Sequence, residues 1–237
     1  STVTIDKKGN KMTASKRGRI DIIYEDDSLI AINKPHGLLS VSTGAMEETT
    51  AFQLVSEYIQ SVDSKKKAYV VHRLDKDTSG ILTFAKNAQL KQLLQADWNN
   101  IVTFRGYYAV AEGVFSKKQD IITTWLREGE HRVESFPKQL PDTRQAITEY
   151  KVLRENQQYS LLDISLKTGR KNQIRVQLQN LGHPVVGDKK YNAKTSPLHR
   201  LGLHAYKLEL AHPAIGKMTF QSKMPNVFTR LLKKDRP

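Results

Sequence analysis

A short charged segment between two apolar segments is the part of this sequence whose residues could perform chemistry. Residues 70–71 end one predicted strand, residues 81–84 (ILTF) begin another, and residues 73–77 (RLDKD) lie between them. A carboxylate on a loop between two buried strands is held firmly enough to act on a substrate. Asp75, between an arginine and a lysine, is the candidate. The alternative is an ordinary salt-bridged loop, since structural ion pairs also cluster charges.

The elements that must hold this loop are predicted from apolar periodicity and from residues that cap helices. Alternating apolar residues predict strands over residues 21–24, 29–32, 107–111, 146–153 and 159–166. Thr49-Thr50 and Asn87 are predicted to cap helices, Pro225 is predicted to open another, and residues 168–178 are predicted to open a further helix. The sequence shows no internal repeat and no linker that cleanly divides the chain.

Length and composition limit the kind of protein. The 237 residues fit one large domain or two lobes that share a core. Residues 1–18 are polar and lysine-rich, which predicts a basic, flexible N-terminal arm before a domain over residues 19–237. No apolar segment approaches the roughly 20 residues that span a bilayer, and the N-terminus lacks the apolar core of a secretory signal. The absence of cysteine excludes disulfides, thiolate metal sites and cysteine nucleophiles, and it suits a reducing compartment.

The net charge indicates a polyanionic partner. Lysine and arginine number 38 against 24 acidic residues, which gives a formal charge of +14. Such an excess suits either nucleic acid or an anionic membrane surface. A membrane-surface protein more often concentrates its basic residues on one amphipathic helix. The basic residues here are spread over many segments, which favours nucleic acid: residues 7–19, 65–67, 170–175, 189–190 and 230–236.

Several familiar chemistries have no signature in this chain. There is no phosphate-binding glycine-rich loop that ends in Gly-Lys-Ser or Gly-Lys-Thr, and no dinucleotide fingerprint. The seven histidines lack the spacing of zinc ligands, and there is no Gly-x-Ser-x-Gly elbow. What remains is aspartate chemistry supported by basic and aromatic residues, so neither a metal nor a cofactor is expected.

Five motifs in order along the chain resemble those of the RluA-type pseudouridine synthases. The signature motif is residues 72–81 (HRLDKDTSGI), which contains the candidate aspartate. The others are residues 24–27 (YEDD) with 33–37 (NKPHG), residues 105–113 (RGYYAVAEG), residues 168–175 with 182–191, and residues 203–205 with 212–213. The resemblance runs from about residue 20 to about residue 230 and outweighs the interpretation of the loop as a simple ion pair.

The resemblance implies a fold and a reaction. The fold is α+β: a mostly antiparallel mixed sheet flanked by helices, with a central catalytic cleft, over residues 19–237. The reaction is the isomerisation of a uridine in ribosomal or transfer RNA to pseudouridine, without a cofactor or metal. A cytoplasmic monomer that does not bind membranes is expected. Because no separate S4-like RNA-binding domain precedes the core, the chain resembles the compact members of the family.

The resemblance also implies three catalytic residues. Asp75 matches the nucleophile or base, and attack on the sugar, attack on the base and removal of a ribose proton remain open as its role. Arg175 matches the cation that keeps this carboxylate ionised against desolvation. Tyr107 is expected to lie on the uracil, and alternation along the strand turns Tyr108 to the opposite face. The alternatives are a surface arginine that binds phosphate and a tyrosine packed in the core.

Other residues are expected to hold the RNA. The target base must be flipped or unpaired, and Arg73 matches the family arginine that fills the vacated space. Leu203 is expected beside the base, with ordinary core packing as the alternative. The expected phosphate contacts are Arg170, Lys171, Lys34, Lys65, Lys66 and Lys67. Two positions depart from the family, since Asn172 and Gln177 stand where it usually has histidine, which affects RNA contacts or local packing.

Two other functions are compatible with the charge. One is a non-catalytic RNA-binding or RNA-folding module built on the same fold. The other is a structural or membrane-surface protein, which the ordered motifs disfavour. A protein that only binds RNA has no use for a carboxylate paired with an arginine and a tyrosine, so the enzyme is the predicted function.

Overall fold

Strands make up most of the regular structure of this chain. The structure is a computed structural model, and it describes residues 2–4, 11–15, 18–42, 44, 48–212 and 214–232. In chain order the strands are β1 Thr2–Thr4, β2 Lys11–Ser15, β3 Gly18–Glu25, β4 Leu29–Lys34, β5 Tyr69–Val70, β6 Ser79–Ala85, β7 Val102–Glu112, β8 Gln119–Glu128, β9 Val133–Phe136, β10 Arg144–Glu155, β11 Tyr159–Leu166, β12 Leu203–His212 and β13 Gly216–Gln221.

Short helices connect several of these strands, and side chains cap two of them as the sequence predicts. The Gln53 amide donates to Thr50 Oγ1 and the Thr50 amide donates to Gln53 Oε1, which forms a reciprocal capping box. The Leu90 amide donates to Asn87 Oδ1 at 2.7 Å. The helices are α1 Ala51–Val62, α2 Ala88–Ala96, α3 Trp98–Ile101, α4 Gln173–Asn180 and α5 Asn226–Leu231, with a 3-10 helix at Lys189–Tyr191.

The chain divides into two compact units. Unit 1 comprises Ser1–Thr103 and Ala205–Ser222, and unit 2 comprises Phe104–His204 and Lys223–Pro237. In unit 1 the strands follow the order β2, β3, β4, β6 and β12, with β13 beside β12, β1 beside β13 and β5 beside β6. The β1–β13 pair is parallel, whereas the β2–β3, β3–β4, β4–β6, β5–β6 and β12–β13 pairs are antiparallel.

The strand that follows the Asp75 loop lies in the interior of unit 1. Every residue of β6 is buried, which is the pattern of a strand covered on both faces of its sheet. One apolar cluster of unit 1 contains residues of this strand and of the strands and helices around it: Leu29, Ala31, Val71, Ile81, Ala85, Leu90, Leu94, Ile101, Val102, Leu208, Leu210, Met218 and Phe220. The loop is therefore anchored at its C-terminal end in the core.

Unit 2 is built on an antiparallel sheet in the order β7, β11, β10, β8 and β9. Helix α4 lies against one apolar cluster of this unit through Ile174 and Leu178. The other buried members of that cluster are Ala109, Ala111, Phe115, Ile122, Tyr150, Leu162, Ile164, Leu166, Val185, Leu201 and Leu203. A second cluster joins Val110 and Leu161 to Phe228 of helix α5. The sheet of unit 2 thus has apolar packing around both β7 and β11.

These mostly antiparallel strands with separate helices confirm the predicted α+β class, while the predicted central catalytic cleft stays a prediction. The predicted flexible arm at residues 1–18 also stays a prediction. Two of its segments are strands, β1 and β2, and residues 5–10 and 16–17 lie outside the described residues. Within the described part of the chain, no helix is both long enough and apolar enough to cross a bilayer.

Gly80 in β6 is a position that only glycine can occupy. Its φ is +115°, and a Cβ atom there would lie 2.1 Å from the carbonyl oxygen of Ala205 in unit 1. We expect Gly80→Ala to lower the free energy of unfolding by about 3 kcal/mol or more, because backbone strain and overpacking act together. Urea unfolding followed by circular dichroism measures this change.

Gly37→Ala is the matched control for this variant. Gly37 also has a positive φ of +81°, but a Cβ atom added there would meet no neighbouring group within 4 Å. This substitution should lower the free energy of unfolding only by the strain of a side chain at positive φ, about 1–2 kcal/mol. Equal losses of stability for the two variants would show that the close approach to Ala205 does not constrain position 80.

Candidate active site

Asp75 lies in the connection between β5 and β6. In this connection the backbone is held by hydrogen bonds to side chains and not by pairing with a neighbouring strand. Ser40 Oγ accepts a hydrogen bond from the Leu74 amide at 3.1 Å and donates to the Leu74 carbonyl at 2.7 Å. The Thr78 amide donates to the Asp75 carbonyl at 3.1 Å, which closes a turn around the carboxylate. Leu74 is buried and Asp75 is half-buried. The carboxylate is therefore mounted on a fixed turn and is partly shielded from water.

Lys34 fastens this turn from the end of β4. It is fully buried, and its ammonium donates to the carbonyls of Pro35 at 3.0 Å, Leu38 at 2.7 Å and Lys76 at 2.9 Å. The Gly37 amide donates to the same Lys76 carbonyl at 2.9 Å. The prediction that Lys34 contacts phosphate is corrected by this burial. Its three donors are used inside the protein, next to the candidate aspartate, and its role is to position the loop.

We expect Lys34→Met to destabilise unit 1 although the substitution conserves much of the side-chain volume. Removal of the ammonium takes one donor from each of three carbonyls, of which only that of Lys76 keeps the Gly37 amide, and this should lower the free energy of unfolding by about 3 kcal/mol. Thermal unfolding measures this loss. Lys67→Met, at an exposed site in the same unit, should change it by less than about 0.5 kcal/mol. A stable Lys34→Met protein would contradict the proposed anchoring.

The other predicted RNA-binding residues of unit 1 reach the surface. Arg73, Lys65 and Lys67 are exposed. Lys66 is partly exposed and forms an ion pair with the exposed Asp27 at 3.2 Å. Such a pair is weak in water and can be exchanged for a phosphate. These four cations therefore remain candidates for contacts with a polyanion, in contrast to Lys34.

Tyr107 and Tyr108 occupy opposite faces of β7, as the alternation predicts. Tyr107 lies opposite Ile164 of β11 and packs against the cluster that contains Leu203. Tyr108 lies opposite Asp163 and packs against the cluster of helix α5. Burial, and secondly the Asp163 carboxylate, raise the pKa of the Tyr108 phenol. Both rings are half-buried, so burial alone does not distinguish the ring that packs from the ring that acts.

A buried arginine lies two residues before Tyr107 in the same strand. Arg105 is 8% exposed, and its guanidinium lies against Gly169, where an added Cβ would come within 2.2 Å of Nη1. Burial lowers the pKa of Arg105, the neighbouring Tyr107 opposes this shift, and Arg170 adds to it. Unit 2 thus places one buried guanidinium close to the predicted uracil-binding tyrosine and a second guanidinium close to the first.

Arg175, the predicted partner of the aspartate, lies on helix α4 and is largely buried, with a side chain 13% exposed. Its Nε donates to Asp188 Oδ2 at 2.7 Å and its Nη2 donates to Asp188 Oδ1 at 2.8 Å. Its Nη1 donates to Asn172 Oδ1 at 3.2 Å. The carbon at the centre of the guanidinium lies 5.1 Å from the centre of the Tyr191 ring. Arg175 is therefore not a free surface arginine that waits for phosphate.

The remaining predicted residues of unit 2 differ in exposure. Arg170 is half-buried, and its Nε donates to the Gln145 carbonyl at 3.3 Å. Lys171 is exposed and pairs with Glu128 at 2.9 Å. Leu203 is 4% exposed in the same apolar cluster against which Tyr107 packs, which is the core packing named as its alternative. Arg170 and Lys171 remain candidates for phosphate contacts.

The amides that replace the family's usual histidines are used in packing. Gln177 is buried, and its Nε2 donates to Thr124 Oγ1 at 2.9 Å and to the Ala146 carbonyl at 3.1 Å. Asn172 is also buried, at a positive φ of 52° that asparagine tolerates better than most residues. Both side chains therefore bind neighbouring protein groups, which agrees with a role in local packing.

His204 lies near the start of β12 and is a buried base. Burial, and secondly the Arg200 guanidinium, lower its pKa to about 4, whereas a hydrogen bond with the backbone of Lys223 opposes the shift. Between pH 6.5 and pH 4 the unfolded chain therefore binds a proton that the folded chain does not. Stability contributed by neutral His204 is fully present above about pH 6.5 and is lost as the pH falls towards 4.

We expect this effect in a comparison with His204→Asn. Between pH 7 and pH 4 the wild-type free energy of unfolding should fall by about 3 kcal/mol more than that of the variant, because only the wild type carries the buried base. Urea unfolding curves at several pH values measure the difference. Because both proteins carry the same carboxylates, the difference between their free energies of unfolding reports on His204 alone. If the two free energies changed in parallel with pH, His204 would not be the buried base.

Comparison with known proteins decides the family. Residues 28–180, more than half of the chain, match the family model described as RNA pseudouridylate synthase. The chain belongs to the RNA pseudouridylate synthase family. The predicted resemblance to RluA-type synthases is confirmed by this match and by the relatives that follow.

Two relatives show the extent of the similarity. The chain is 34% identical over 223 residues to the ribosomal large subunit pseudouridine synthase D of Borreliella burgdorferi, which covers 90% of this chain and 68% of that protein. It is 36% identical over 201 residues to the dual-specificity RNA pseudouridine synthase RluA of Vibrio cholerae, which covers 82% of this chain and 78% of that protein.

The solved structures share the fold. The structure of human RNA pseudouridylate synthase domain containing 4 superposes with a TM-score of 0.74 at 22% identity, over 91% of this chain and 94% of that one. Human RNA pseudouridylate synthase domain containing 1 gives a TM-score of 0.69 at 19% identity, over 95% and 99% of the two chains. The α+β arrangement is thus the pseudouridine synthase fold.

Sequence reasoning missed the partners of its own candidate residues. It assigned no role to Arg105, although a residue two positions before Tyr107 on a strand shares its face, and this signal could have found it. It also assigned no role to Asp188, which lies 13 residues from Arg175. No spacing rule joins a helix to a residue beyond the next turn, so only the fold could reveal that pair.

Proposed function

We propose that this protein is an RNA pseudouridine synthase that isomerises specific uridines of ribosomal or transfer RNA. The observation that carries the proposal is a half-buried aspartate on a loop fixed by Lys34 and Ser40, in a chain of this family. The relatives' names, one a ribosomal large subunit synthase and one dual-specificity, support an RNA substrate. The net charge of +14 suits the same partner.

The chemistry that we propose rests on Asp75 as an ionised carboxylate. Isomerisation breaks the bond between uracil and ribose, turns the base and joins it again through carbon 5. The bonds broken and formed have similar energy, so no cofactor needs to supply free energy. Asp75 acts at the ribose or at the base as nucleophile, or at the ribose as a base. Arg175 keeps it charged where burial would favour the neutral acid.

Tyr107 is proposed to hold the uracil while it turns. Its ring packs against the apolar cluster that contains Leu203, so one face of the phenol is supported by the core of unit 2. A flat aromatic ring stacks on a base without reading its sequence. We propose that Leu203 lines the same pocket. We propose that the Tyr107 hydroxyl assists the removal of the carbon-5 proton.

The RNA is proposed to bind through exposed cations. Arg73 stands two residues before Asp75 and is exposed, which suits insertion into the space that a flipped nucleotide leaves. The proposed phosphate contacts are Lys65, Lys66, Lys67, Arg170 and Lys171. Contacts of this kind set affinity and salt dependence but carry no sequence information. Specificity would then come from the folded shape of the RNA.

Asp75→Asn tests the proposal. This variant should lower the rate of pseudouridine formation by at least about 10⁴-fold, because an amide cannot act as nucleophile or base. Its RNA affinity, measured by filter binding, should stay within about 3-fold of the wild type. Mapping of pseudouridine in total RNA, with and without the protein, identifies the substrate for this assay.

Asp77→Asn is the matched control, since Asp77 is an exposed carboxylate in the same loop. It should form pseudouridine at the wild-type rate. If Asp75→Asn did so as well, Asp75 would not be the reacting group. If the wild type bound RNA but modified none of the RNA of its source cell, the chain would be the non-catalytic binding module instead.

A further inference from the structure

The protein holds the Arg175 guanidinium along one edge, at its third nitrogen and on one face. Asp188 accepts two hydrogen bonds along the edge formed by Nε and Nη2. Asn172 accepts a third from Nη1, and the Tyr191 ring lies 5.1 Å from the guanidinium carbon. A planar fork fixed in this way cannot rotate, unlike the ammonium of a lysine.

The carboxylate of this clamp is itself fixed and nearly inaccessible. The Asp188 side chain is 1% exposed, and its Oδ1 also accepts from the Tyr191 amide at 3.3 Å. The Ala193 amide donates to the Asp188 carbonyl at 3.0 Å, so the backbone is held as well. By contrast, the Arg127–Glu134 pair of the same unit is 42% and 46% exposed. Burying an ion pair costs desolvation free energy, which is offset only where the two groups are well aligned and their remaining hydrogen-bonding atoms have partners.

Asn172 joins this clamp to Tyr191 through both ends of its amide. Its Oδ1 accepts from Arg175, and its Nδ2 donates to Tyr191 Oη at 2.9 Å. Tyr191 Oη in turn accepts from the Val133 amide at 3.1 Å. Only a side chain with a donor and an acceptor at this spacing can make both contacts. The arrangement therefore locks the orientation of Arg175 through a chain of buried hydrogen bonds.

We propose that Asp188 and Asn172 are positioning residues for Arg175, an inference that rests on the proposed function. The guanidinium has five N–H donors, of which three point to these two residues. The clamp fixes the plane of the guanidinium and with it the direction of every N–H group, so that Arg175 acts without prior reorganisation. The role of Asp188 is thus to aim Arg175 in the reaction, in addition to capping the 3-10 helix.

The alternative is that Asp188 only stabilises unit 2, and Asp188→Asn separates the two. Asparagine keeps one acceptor for the helix cap but loses the charge and one acceptor for Arg175. We expect kcat to fall about 100-fold with KM within about 3-fold, because a misdirected group costs rate rather than affinity. Glu134→Gln, which removes the exposed pair with Arg127, is the matched control and should leave kcat unchanged.

A double-mutant cycle with Arg175→Met tests whether Asp188 acts through Arg175. If it does, Asp188→Asn should lower kcat about 100-fold in the wild-type background and less than about 3-fold in the Arg175→Met background. A purely structural residue would cost the same factor in both backgrounds, and that result would overturn the proposal. Unchanged kcat in folded Asp188→Asn would overturn it too.

Asn172→Gly provides a second variant, in case Asp188→Asn does not fold. Glycine adopts a φ of 52° without strain, so this change removes the amide alone. We expect kcat to fall about 10-fold, with recovery in Asn172→Asp, which keeps an acceptor for Nη1. Equal activity of Asn172→Gly and the wild type would contradict the positioning role of Asn172.

Nitrogen-15 NMR of the arginine side chains observes the clamp without any substrate. In the wild type the Arg175 Nε–H signal should be protected from exchange, and in Asp188→Asn it should broaden or disappear. A signal unchanged by Asp188→Asn would overturn the clamp itself. A wild type that keeps the protected signal but forms no pseudouridine would refute the proposed function, and with it the role in catalysis, while the clamp would stand.

Discussion

The burial of the Lys34 ammonium is the constraint on which the rest of the site depends. A charge inside a protein is tolerated only where polar groups replace water, and here the carbonyls of Pro35, Leu38 and Lys76 do so. These carbonyls belong to two separate segments of unit 1, so the same three bonds tie the turn after β4 to the loop of Asp75. The candidate reactive carboxylate is positioned because its neighbour in the chain satisfies a buried cation.

Unit 2 handles its buried cations differently. Arg175 is matched by a carboxylate, Asp188, in a bidentate pair, and its plane is fixed by that geometry. Arg105 lies against the Gly169 backbone, near the cation of Arg170, and its pKa is lowered by burial. One arginine is therefore paired with a carboxylate, whereas the other lies close to a second guanidinium, which adds to the lowering of its pKa.

Much of the fold follows from local rules that act over a few residues. Helix α1 begins at Ala51 because the Thr50 hydroxyl accepts from the Gln53 amide and the Gln53 side chain accepts from the Thr50 amide, and this pattern is visible in the sequence. Tyr107 and Tyr108 face opposite sides because side chains alternate on a strand. The interpretation of Lys34 as a phosphate contact failed for the opposite reason. A lysine in a basic chain looks like a surface residue until the fold brings three carbonyls to it.

The sequence by itself determined the family, the loop that bears Asp75 and the strands and caps around it, because these depend on motifs and on short-range periodicity. Only the tertiary structure decided the partners: Asp188 for Arg175, and the carbonyls for Lys34. Hydrogen bonds and burial depend on distances in space, which residues far apart in the chain acquire only when the sheets form. The number of charges follows from the composition, whereas the packing determines which of them reach the surface and which are buried in the site.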